Sequence, residues 1–293
     1  MKNTVQAPLV IFVTFVAVCI SSCDRQAPQT EAPTSSKEVK PARITTPANL
    51  SNSNIRGKLL DGKAALKQVA SINITWTNGN EAAAKRQLSE LVELHRSLSQ
   101  TPVYESALVS ADCELRLCNS IVPALINGQL SPAEAQSTIA SIAANRFNNA
   151  SLAAMLNESA PDSKQARTLA AELNSGRSVN LIEASNALLR EQGASLLDGP
   201  TPDRLGELLD KPNAARAFQY NAMMGAKLDV AKVIAAYASA GGNLHADDAT
   251  VAASLLEKVP KLVNAPGAIT NRPIRVKDVV HYLAKWRNGT FVR

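Results

Sequence analysis

Cysteines, histidines and one glycine-lysine loop are the residues of this chain whose types and spacing could support chemistry. Cys113 and Cys118 have four residues between them, whereas a redox pair usually has two, and two cysteines alone make a poor metal site. In an oxidising compartment the natural reading of this pair is a disulfide. Five positions along an α-helix put two side chains on different faces with Cα atoms more than about 7 Å apart, so bonded cysteines require Ala111–Asn119 to form a turn or hairpin. Of the histidines, His95 shares a helical stripe with Leu88, Leu91, Val92 and Leu98 and reads as a packing residue. His281 falls four residues from both Lys277 and Lys285, on a solvent face. His245, followed by Asp247 and Asp248, is the best metal candidate, yet acidic residues in the first turn of a helix complement its dipole without any ion. No metal and no other cofactor is expected. Gly57, Gly62 and Lys63 match the spacing of a phosphate-binding loop, but Ala64 stands where a hydroxyl should bind magnesium and no buried strand precedes it. A tether end leading into a helix is the better reading.

Common catalytic signatures are missing: no H-E-x-x-H, G-x-S-x-G, S-x-x-K or C-x-x-C occurs. Carboxylates such as Glu90, Glu93, Glu105 and Glu114 are scattered, and nothing singles out a pair for glycoside hydrolysis. Met223 and Met224, beside Phe218 and Tyr220, suggest either a pliable binding surface or, more simply, core. A catalytic constellation would have to be assembled in space.

The first 24 residues carry an address. Lys2 precedes an apolar run from Leu9 to Ile20, too short for a comfortable bilayer span of about 20 residues but suited to a secretory signal. Ile20-Ser21-Ser22-Cys23 then resembles the lipobox of bacterial lipoproteins, a resemblance confined to this segment. It implies removal of residues 1–22 and acylation of Cys23 with palmitate-type chains, which anchor stably when more than one is attached. Asp24 resembles an inner-membrane retention signal, so the periplasmic face of the inner membrane is favoured over the outer.

From Asp24 to about Gly57 the chain is polar and marked by Pro28, Pro33, Pro41 and Pro47, a composition that cannot bury enough surface to offset its ordering entropy. Residues 23–57 therefore read as a lipidated tether with a mean span of roughly 30 to 35 Å, and 58–293 as a helical domain. The net charge of +6 is dispersed and aromatics make up 4%, which argues against nucleic acid as a partner. Asn80, the capping box Ser131-Pro132-Ala133-Glu134, Asn180 and Thr201-Pro202-Asp203 announce helix starts. Further helices are expected over about 213–225, 229–240, 247–263 and 276–288, with a weak hairpin signal over 102–123 around the cysteines.

The expected fold is mainly α: a compact helical bundle or an irregular stack of helical hairpins, with a small disulfide-closed hairpin or turn. The expected function is a membrane-anchored periplasmic lipoprotein, leaning away from an enzyme, that binds a protein partner as an envelope assembly factor, adaptor or toxin inhibitor. The alternatives are an envelope hydrolase acting on peptidoglycan or lipid, and a carrier of an apolar ligand.

Overall fold

Side-chain caps decide where most of the helices begin. In the computed structural model, which describes residues 61–77, 79–101, 103–194 and 202–290, Asp61 accepts from the Ala64 amide and opens α1 (Gly62–Ser71). Two long helices follow, α2 (Glu81–Ser99) and α3 (Tyr104–Ile126). Ser131 and Glu134 complete a reciprocal capping box at α4 (Pro132–Ala144), and the bond from Lys85, helped by those from Ser131, holds the Glu134 carboxyl down to about 2. Asn148, Ser163 and Asn180 cap α5 (Asn149–Ser159), α6 (Lys164–Asn174) and α7 (Leu181–Glu191). After α8 (Pro202–Asp210), Asn213 caps α9 (Ala214–Ser239) and Asp247 caps α10 (Asp248–Lys258); α11 (Val276–Arg287) ends the described fold. Each such cap contributes about 1 kcal/mol by satisfying amides that the helix cannot.

These helices enclose two hydrophobic cores with no buried residue in common. The first core gathers Leu91 of α2, Leu117 and Ile121 of α3, Ile139 of α4, Leu228 and Ile234 of α9, and Val251 and Leu283 of α10 and α11. The second gathers Leu108 of α3, Leu152 and Leu156 of α5, Leu169 of α6, Leu188 of α7, Leu205 of α8 and Phe218 of α9. Helices α3 and α9 lie against each other and run through both cores as a double spine. All described residues belong to one compact unit. None of its helices is long and apolar enough to cross a membrane, and no β-strand occurs among the described residues, which leaves the mainly α expectation standing.

Three expectations are corrected. The segment 102–123 is not a hairpin: from Tyr104 it is part of α3, with 18 of that helix's 23 residues buried. A helix packed on nearly every side has no polar face, so the 3.6-residue period that would have revealed it is absent from the sequence. Cys113 and Cys118 are consequently free, buried thiols and not a disulfide, because five residues of one helix separate them by about 7.5 Å along its axis. Burial pushes the Cys118 thiol up to about 12 and raises that of Cys113 as well. The helices expected at 213–225 and 229–240 are one continuous α9, with 20 of its 26 residues buried. Cys23, the tether and Gly57 lie outside the described residues.

Candidate functional site

Polar side chains concentrate on the seam between the two cores. Glu114, on α3, is fully buried, and one of its oxygens accepts from His95 Nε2 of α2 at 2.8 Å. Its other oxygen accepts from Nη1 of Arg146, which follows α4. Arg146 Nη2 donates in turn to the backbone oxygen of Asn221 at 2.6 Å and to its Oδ1 at 2.9 Å. A carboxylate, a guanidinium, an imidazole and an amide thus tie α2, α3, the end of α4 and α9 together in the buried interior. Such a group is worth little as a net charge pair but costs several kcal/mol to break on one side, because the remaining charge is then buried alone. Gly225, one turn beyond Asn221, lets the neighbouring loop approach: a Cβ there would sit 2.8 Å from Ile269 Cγ2 and 3.3 Å from Arg146 Nη2.

That loop, residues 264–274, is clipped to α9 by a second buried acid. Asp229 accepts from the Ile269 amide at 3.1 Å, the Thr270 amide at 3.1 Å and the Thr270 hydroxyl at 2.8 Å. Burial pushes its carboxyl above the ordinary range, against the opposing pull of these three hydrogen bonds. The loop turns twice through left-handed backbone, at Asn264 and Asn271, and closes on itself through Asn264 N to Ile274 O and Ile274 N to Ala265 O. Between this loop, α4 and α9 lies an open cleft of about 360 Å³. Its walls are mainly Ile139, Ala143, Leu228, Ala236, Leu262 and Ile269, and Asp229, Gln136 and the exposed Lys232 also line it. The cleft falls within the range of about 300 to 1,000 Å³ in which small ligands are held, and its apolar walls suit an apolar group.

No family model, curated protein or solved structure matches this chain. Its chemistry has to be read from its own residues.

The sequence candidates fall as follows. His95 is buried, as its stripe indicates, but it is also hydrogen-bonded to an acid that sequence spacing did not suggest. His245 donates through Nε2 to the backbone oxygen of Ile126 at 2.9 Å, which fastens the α9–α10 connection to the end of α3. Asp247 uses its carboxylate on the Ala249 and Thr250 amides and the Thr250 hydroxyl. Among the described residues no three metal-binding side chains converge. His281 is exposed and stands edge-on to Tyr282 at 5.7 Å. Phe218, Tyr220 and Met224 belong to the second core. Gly62 is the first residue of α1 and packs under Leu209, and Lys63 pairs with Asp210 at 2.5 Å. The structure therefore brings together Glu114, Arg146, Asn221 and Asp229, none of which sequence reasoning had placed in a site. The available signal was the presence of charged residues inside segments otherwise built of Ala, Leu, Val and Ile.

Proposed function

We propose that this protein is a lipid-anchored, periplasm-facing lipoprotein whose helical body binds a protein partner. The observation that carries the reading is the order Lys2, apolar Leu9–Ile20, Ser21-Ser22, Cys23, followed by a proline-marked polar stretch. Anchoring by acyl chains confines the body near a membrane and raises its effective concentration toward partners there. The buried acids and bases favour binding over hydrolysis: His95 and Glu114 are fully buried, and the bond between them braces α2 against α3. A catalytic acid or base has to reach the proton it transfers. Crosslinking in intact cells followed by detergent extraction tests the proposal. A discrete crosslinked species containing a second protein is expected; recovery of the monomer alone across growth conditions counts against it.

The cleft between α4 and α9 favours a second reading, that of an apolar-ligand carrier. Alanines at 140, 143, 236 and 268 leave the space that larger side chains would fill. If the cleft holds such a ligand, a fluorescent fatty acid binds the wild type and is lost in Ala143→Leu. Equal binding by both proteins removes this reading.

A further inference from the structure

A second pocket, of about 330 Å³, opens between α8 and the first two turns of α9. A larger share of its lining residues is charged than in the cleft. Arg204 and Glu207 come from α8, Lys211 from the connection, and Arg216 and Tyr220 from α9. Three of these described side chains are cationic and one is a carboxylate.

Arg216 is the residue that needs explaining. It is only 9% exposed, and its guanidinium has one hydrogen-bond partner among the described residues, the neutral Oε1 of Gln219 at 3.0 Å. No carboxylate within ion-pair distance of it is found among the described residues. A guanidinium buried to this extent without a counter-charge is costly, and an anion in the space that it lines would offset that cost. Its position is also fixed. Asn213 caps α9 by accepting from the Arg216 amide at 2.9 Å, and the Asn213 amide donates to the Tyr104 hydroxyl at 2.9 Å. That hydroxyl donates onward to the Leu208 backbone oxygen at 2.9 Å, and burial, which pushes it up to about 12, keeps it protonated. Tyr104 thus pins the corner where α8 turns into α9, which fixes the backbone that carries Arg216 before any ligand arrives.

We propose that this pocket is an anion site that takes a phosphate group, carried on a lipid headgroup or free in solution. Three cationic side chains favour a multiply charged phosphate over a single carboxylate, and a planar guanidinium fork matches two phosphate oxygens at once. Glu207, at the rim, can accept from a hydroxyl or amine on whatever bears the phosphate. The inference is independent of the lipid anchor and of the apolar cleft.

Thermal melting and phosphorus NMR line broadening of the full chain test it, in inorganic phosphate against chloride at matched ionic strength. A saturable rise in the midpoint and broadening of the phosphate resonance are expected for the wild type. Lys211→Gln, an exposed change that leaves the core untouched, is expected to weaken half-saturation by about tenfold through loss of one charge-assisted contact. Arg216→Gln is expected to abolish the response while melting in chloride no lower than the wild type, because an uncompensated buried charge has been removed. Absence of a phosphate-specific rise in the wild type, or an equal response in Lys211→Gln, overturns the proposal. Monomeric dihexanoyl phosphatidic acid then distinguishes the sources: tighter binding than inorganic phosphate assigns a lipid headgroup, and weaker binding assigns free phosphate.

Discussion

Glu114 serves two partners at once, and neither has a substitute. Replacing it with Gln keeps the shape but leaves the Arg146 guanidinium buried without its counter-charge. The expected loss is about 3 to 5 kcal/mol, read as a lowered denaturant midpoint. Arg146→Met added to Glu114→Gln is expected to recover part of it, since the stranded charge is then gone; a double variant no more stable than the single one would oppose this account. At this scale the sequence was half legible. The stripe of His95 announced its burial, but its acid lies 19 residues away on another helix, and the arginine that completes the pair lies 32 residues beyond that. Such pairings are fixed by how helices cross, which no local spacing records.

Among the elements, the loop 264–274 depends on the clip at Asp229. A Cβ on Gly267 would fall 2.2 Å from Asp229 Oδ2, so Gly267→Ala has to displace either the carboxylate or the loop. A loss of about 1 to 3 kcal/mol is expected, as for other overpacked sites, together with earlier protease cleavage inside the loop. An unchanged melting midpoint with unchanged cleavage would show that the clip does not hold the loop. Elements that carry their own start signals were legible: Ser131 caps α4 with both bonds of its box, and Asn180 caps α7. The two spine helices were not. The β-branched residues and cysteines of α3 lie among buried positions on every face and so imitate a hairpin, and α9 runs unbroken through Gly225, where the first of two expected helices ends. That glycine is there for close approach of the loop and Arg146, not to end a helix.

For the whole molecule, the decisive experiment concerns attachment. Cys23→Ser is expected to move the protein from the membrane fraction to the soluble one, because the acyl chains have no other attachment point in the lipobox reading. Membrane retention of the variant after a salt wash would overturn the lipid assignment. The mainly α class was legible from helical spacing and caps. The division into two cores with a polar seam was not, since it arises only when α3 and α9 lie side by side.

The spine also bears on mechanics. The described chain begins at Asp61 and enters α1, which packs on α3 and α8 and is tied to α8 by Lys63 and Asp210. Tension in the chain ahead of Asp61 would therefore reach α3 directly and spread to both cores, instead of peeling away one peripheral helix after another. Pulled from the side of Asp61, the body would resist as a single block until α1 detaches, and α1 would be its mechanical fuse.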